Sequence, residues 1–328
     1  MSVGMDGADQ SAHDLPKILG RVPKDLSPWP QKLQCVTIHG CLLAMFNVLN
    51  IVQGGANMAI TCLMRALQLA GTVPRTLYLQ VDGGSENWNQ VLFGILDLLF
   101  DLYDCLQTVI ISRLPVGHTH IDIDRFFSYL NGLLFGTSAG GREDGANVHT
   151  REDFVRLFHK AMAGNKDTMF LDHHFEDVNC VYDWWSFMKP HLYTGFSGYG
   201  SAGDVHVMKF ERREGSPTPH VSYKYWHQSE QWMPADGKSL KILSSRPDLG
   251  DLSSLQASAH VEGHAEVIAG LQKPLLKWLQ QQRDLELFSA EDVASWKTYF
   301  KTLGMMTLLI HYVYHMYACA MFPVCMYA

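Results

Sequence analysis

Apolar residues run almost without interruption through LQCVTIHG (33–40) and CLLAMFNVL (41–49), two stretches parted by Gly40. Short β-favouring runs about a turn glycine predict an antiparallel hairpin. From Asn57 the spacing changes: Met58, Cys62, Leu63, Ala66, Leu67 and Ala70 recur at helical intervals as far as Gly71, which predicts an amphipathic helix. TLYLQVD (76–82) is a compact strand ending on Asp82, and QVLFGILDLLFDLYD (90–104) is apolar enough for a helix packed on a sheet. TVIISRLPV (108–116) is a strand stopped by Pro115 and Gly117, after which GHTHIDID (117–124) leads into a helix running to about Phe135.

With MSVGMD at the start taken as a strand, the order becomes βββαβαβα. A three-stranded meander followed by α-β-α-β-α is the ribonuclease-H-like arrangement, an α/β fold with a mixed sheet and helices on both faces. In that arrangement the first strand lies beside the fourth. Asp6 and Asp82, which end those two strands, should therefore be neighbours, with Asp122 and Asp124 arriving at the start of the following helix.

Beyond residue 150 the pattern is weaker. TREDFVRLFHKAM (150–162) opens a helix with Thr150 and Asp153 in a capping-box variant. FEDVNCVYDWWSFMKPHL (175–192) is aromatic-rich, and its Trp184, Trp185 and Phe187 suit core packing better than base stacking. GDVHVMKFERREGSPTPHVSYKYWHQSEQW (203–232) alternates about a REGSPTP turn and reads as a small β element sheltering the site, while KPLLKWLQQQRDLELF (273–288) reads as a surface helix. The expected organisation is a core over 1–150, a helix and small β extension over 151–245, and a helical region with an apolar tail over 246–328.

Composition narrows the partners. At 328 residues and 47% hydrophobic the chain can bury a substantial core. Its 26 Lys plus Arg against 33 Asp plus Glu give a net charge of -7, so no global basic field is available to hold nucleic acid, and DNA binding would need a local patch or a bound cation. Seven scattered cysteines without a CxxC pair, and no signal peptide, fit a nuclear or cytoplasmic protein. The nearly uncharged stretch 304–328 is long enough to cross a bilayer, but His311, His315, Pro323 and the lack of a basic flank beyond Lys301 favour a buried helix or a read-through tail.

The carboxylates suggest chemistry. Phosphoryl transfer on a nucleic-acid backbone commonly uses two Mg2+ ions, and Mg2+ (or Mn2+) prefers carboxylate oxygens and water. Asp6, Asp82 and either Asp124 or Asp122 could hold such a pair.

MDGADQ, LYLQVDGGSENWNQ and LPVGHTHIDIDRFFS together resemble an uncharacterised domain that recurs in eukaryotic transposon-derived proteins, itself similar to the DDE transposase and integrase core. The resemblance covers about residues 1–230. It implies DNA phosphodiester hydrolysis or strand transfer, and it marks Asp6, Asp82, Glu86, Asn87, Asn89, His118, His120, Asp122 and Asp124. Trp88 stands where that family usually has lysine. Only five residues precede Asp6, so a truncated or decayed copy lacking an upstream DNA-binding module is expected. DNA is the expected partner, a homo-oligomer is left open, and no small-molecule cofactor is implied.

Each residue also has a plainer role. Asp82 can cap the turn that follows it, Asp122 and Asp124 suit a helix N-terminus, Glu86 and Asn87 can cap the next helix with Asn89 the better N-cap, and His118 and His120 can hold a loop through hydrogen bonds. A domesticated, inactive binding module is accordingly an alternative. A third reading is a zinc hydrolase, because HTHID (118–122) is similar to the metallo-β-lactamase ligand run, with His149, His159, His173 and His174 downstream. Ile123, where a further histidine would follow, and the order of elements weigh against it.

Overall fold

A computed structural model describes residues 1–8, 13–17, 28–48, 54–113, 122–135, 147–164, 172–178, 180–194, 205–248, 250, 252, 255, 264–284 and 288–303. Three strands open the chain: β1 (Ser2–Gly7), β2 (Lys32–Ile38) and β3 (Leu42–Val48). Then come α1 (Ala56–Ala70), β4 (Thr76–Val81), α2 (Gln90–Leu102), β5 (Thr108–Arg113) and α3 (Asp122–Phe135). The remainder adds α4 (Arg151–Gly164), β6 (Asp172–Val178), α5 (Trp184–Met188), β7 (Val207–Glu211), β8 (His220–Lys224) and α6 (His264–Asp284), with residues 290–303 also helical.

The eight strands form one mixed sheet in the order β6-β3-β2-β1-β4-β5-β7-β8. β1 pairs antiparallel with β2 and parallel with β4, as the element order predicts. The β2–β3 hairpin turns at Gly40, whose φ of 74° is easiest for glycine, and Cys41 N–H donates to Ile38 O at 2.9 Å. α1 ends where expected, at a left-handed Gly71.

β2 and β3 are buried on both faces, so helices must cover both. α1, α2 and α5 pack together on one side, and α3 and α4 form the other layer, with α3 lying over β1 and β2. The α3 layer stops at β1. In β4 only Leu77, Leu79 and Val81 are buried, and Tyr78 on the α3 face is 50% exposed.

The structure adds to or differs from the sequence expectation at several places. β6 joins the sheet parallel to β3, although its DHHFEDV sequence shows no apolar alternation. The β7–β8 hairpin extends the main sheet antiparallel to β5, so it is part of the sheet and not a separate sheltering element. Of the two tryptophans at 184 and 185, Trp184 is in the core but Trp185 is 48% exposed.

The C-terminal segment shares the core. Trp296 donates from Nε1 to His149 O at 2.9 Å, and Phe300 meets Trp29 edge-on at 5.2 Å between ring centres. α6 begins earlier than expected and turns Leu275, Trp278 and Leu279 inward. No helix among the described residues is long and apolar enough to cross a membrane; the apolar stretch 304–328 lies outside them.

Candidate functional site

The register of β1 and β4 places Met5 opposite Val81, so the next residues, Asp6 and Asp82, emerge side by side at the same end of two parallel strands. The strand order also reverses there, since β1-β2-β3 runs one way across the sheet and β4-β5 the other. In open α/β sheets such a reversal leaves a crevice beyond the carboxyl ends of the strands. Alternation places Gly4, Asp6, Gln80 and Asp82 on the face that α3 covers only in part.

The loop after β4 holds Asp82 from below. Asn87 is 1% exposed and its Nδ2 donates to Asp82 Oδ1 at 2.5 Å, while its own Oδ1 is buried without a hydrogen-bond partner. A Cβ at Gly84 would stand 3.1 Å from Asp82 Oδ2, so the chain can fold this closely round the carboxylate because residue 84 has no side chain. Asn89 is the N-cap of α2: its Oδ1 accepts from Leu92 N–H at 2.9 Å and its Nδ2 donates to Glu86 O at 2.9 Å. Trp88 is buried beneath Arg113, whose guanidinium lies 5.3 Å above the ring. A cation thus stands beside Trp88.

The third element is the start of α3. A Cβ at Gly4 would fall 2.8 Å from Thr37 Oγ1, so the bare glycine makes room for Thr37 of β2, while Ile123 Cδ1 at the helix start would stand at an ordinary contact distance of 3.5 Å. Ile123 is buried there and the adjacent Asp124 is half-buried. Asp122 is the first residue of α3, and its side chain lies outside what the structure describes. His118 and His120 also lie outside the described residues.

Electrostatics ties these residues together. Burial first, and then the Asp82 charge, push the Asp6 carboxyl up to about 7; Asp124 and Glu86 add to the rise, against a hydrogen bond from Gly7 N–H at 2.8 Å. Cys35, the cross-strand partner of Asp6, is fully buried, and its thiol is raised by burial and by the Asp6 charge. Asp82, Asp124 and Glu86 thus lie near enough for their charges to bear on Asp6, with Asn87 bonded to Asp82 and Asn89 serving the helix. Sequence reasoning overlooked Gly4, Thr37, Cys35 and Arg113; the register of β1 against β2, and of β4 against β5, is the signal that would have exposed them.

Among the described residues no group of three His, Cys, Asp or Glu side chains is placed to hold a metal ion. The donors at the crevice still suit Mg2+, which often binds through one or two carboxylates and keeps several waters. Asp6 and Asp82 could supply the carboxylates, and Asn87, bonded to Asp82 through Nδ2, carries a buried Oδ1 without a hydrogen-bond partner.

The downstream histidines of the zinc reading lie elsewhere. His173 and His174 sit near the start of β6, beside Leu43 and Ala44, three strands across the sheet from Asp6. His159 packs with His173 at 5.0 Å between ring centres, and His149 meets Asp292 at 3.3 Å.

Residues 26–229 match the family model described as "Domain of unknown function (DUF7869)", a span that includes Asp82 and α3 but begins after Asp6. No curated protein and no solved structure matches the chain.

Proposed function

The chain belongs to the DUF7869 family of unknown function, and we propose that it is a ribonuclease-H-like, transposase-derived protein whose carboxylate crevice acts on DNA phosphodiesters. The observation that carries this reading is the adjacency of Asp6 and Asp82 at the ends of parallel β1 and β4, with the Asp124 charge reaching Asp6 from α3. The β3-β2-β1-β4-β5 part of the sheet order supports the same fold assignment.

In this account Asp6 and Asp82 hold Mg2+ or Mn2+, with Asp124 or Asp122 as the third acid. A bound metal pair would supply activation of the attacking oxygen and stabilisation of the leaving oxygen in hydrolysis or strand transfer. The chain's own residues prepare the site. Gly7 N–H and Asn87 Nδ2 orient the two carboxylates. Burial keeps the local dielectric low, so charges inside the crevice act more strongly than they would in water.

The test is cleavage of duplex and single-stranded DNA with Mg2+ or Mn2+, comparing wild type with Asp82→Asn. Metal-dependent cleavage abolished by the substitution is the expected result. No cleavage, or equal cleavage by both proteins, would favour the inactive binding module.

A further inference from the structure

The carboxylate-bearing edge of the sheet does not end at Asp82. Arg113, the last residue of β5, is the Cα partner of Val81, and its N–H donates to His206 O at 3.0 Å. His206 N–H donates in turn to Lys224 O at 3.0 Å, so the ends of β4, β5, β7 and β8 follow one another along a single edge. On this edge Trp226 is 53% exposed, and its ring stacks on His206 at 4.3 Å with an interplanar angle of 18°.

An exposed tryptophan is ordinarily mobile and costly to leave in water. This one is held in place. His206 beneath it is only 8% exposed, His227 next to it bonds Arg113 O at 3.0 Å, and Ser229 N–H closes a turn on Trp226 O at 3.1 Å. One face of the indole rests on the imidazole. Arg113 and Lys224 bring positive charge to the same edge of a chain whose net charge is -7.

We propose that the Trp226–His206 pair is a stacking platform for an unpaired base of a DNA strand, with the strand running along the sheet edge toward Asp6 and Asp82. The spacing suits this role. Two inter-strand steps separate β4 from β7 and three separate β1 from it, so the backbone at His206 lies roughly 10 Å from that of Asp82 and roughly 14 Å from that of Asp6, within reach of a strand bound at both places. A flat aromatic face accepts any base, and neighbouring cations favour the phosphate backbone, which is the usual chemistry of single-strand recognition. The inference rests on the nucleic-acid reading above, but not on cleavage: it requires DNA binding and no turnover.

The experiment is a fluorescence anisotropy titration of labelled oligothymidylate at low salt in EDTA, where metal-dependent cleavage cannot occur. Wild type is compared with Trp226→Ala, Trp226→Phe and, as a second exposed tryptophan, on α5, Trp185→Ala. The expected result is binding by wild type, about tenfold weakening in Trp226→Ala, near-retention in Trp226→Phe, and no change in Trp185→Ala. Size-exclusion chromatography of Trp226→Ala should show the same oligomeric state as wild type. No binding by wild type, equal binding by Trp226→Ala, equal losses in the two tryptophan-to-alanine variants, or a change of oligomeric state in Trp226→Ala would overturn the proposal. Persistent binding by a protein that cleaves nothing would leave the platform standing and remove only the catalytic reading.

Discussion

Asp6 and Asp82 leave adjacent parallel strands at the same end, one residue beyond the Met5–Val81 pair, and burial together with the Asp82 charge raises the cost of ionising Asp6. In the folded protein Asp6 holds its proton up to about pH 7, against a value of 3.8 when unperturbed. The folded state therefore binds this proton more tightly than the unfolded state does. Its contribution to stability is complete below about pH 3.8 and is lost as pH rises through about 7. Urea unfolding in EDTA should show wild type losing stability between pH 5 and pH 8. Asp6→Asn should flatten that slope and be more stable than wild type at pH 8, by about 1–2 kcal/mol after allowing for solvent screening. Parallel pH profiles for the two proteins would contradict the crowding of carboxylates.

Asn87 is the group that keeps Asp82 in place. Supporting hydrogen bonds of this kind commonly change metal affinity by about 10- to 100-fold when removed. Asn87→Ala should weaken Mn2+ binding about tenfold in calorimetric titration while near-ultraviolet circular dichroism stays native. Unchanged affinity would reduce Asn87 to a turn residue.

Gly4 is where β1 makes room for a side chain of β2. Its missing side chain leaves space for Thr37 Oγ1, which a Cβ would meet at 2.8 Å, whereas Ile123 would stand in ordinary contact at 3.5 Å. Gly4→Ala should overpack the Thr37 contact and cost about 1–3 kcal/mol in urea unfolding. Because α3 need not move, Mn2+ affinity should stay near that of wild type. Wild-type stability in Gly4→Ala would contradict the close contact with Thr37.

The β2–β3 hairpin, α1, β4, α2 and β5 were legible because their apolar spacing has a single period, and Asn89 and Thr150 cap their helices as their chemistry predicts. Topology then made the Asp6–Asp82 adjacency legible as well, since a meander followed by α-β-α-β puts the first strand beside the fourth. β6 was not legible. Asp172, His173, His174, Glu176 and Asp177 fill five of its seven positions, and it is a strand because β3 offers it a parallel edge and Arg65 and Arg151 meet Glu176 and Asp177. The Trp226–His206 stack was hidden for a related reason. The alternation of 203–232 reveals a hairpin, but only the register shows that residue 206 lies beneath residue 226.

Crystals of the protein soaked in Mn2+ and measured at a wavelength where manganese scatters anomalously test the central claim most directly. The account predicts an anomalous peak between the carboxyl groups of Asp6 and Asp82, and its loss in Asp82→Asn. A fully soaked crystal with no peak at that crevice, or with manganese bound only at other residues, would contradict it.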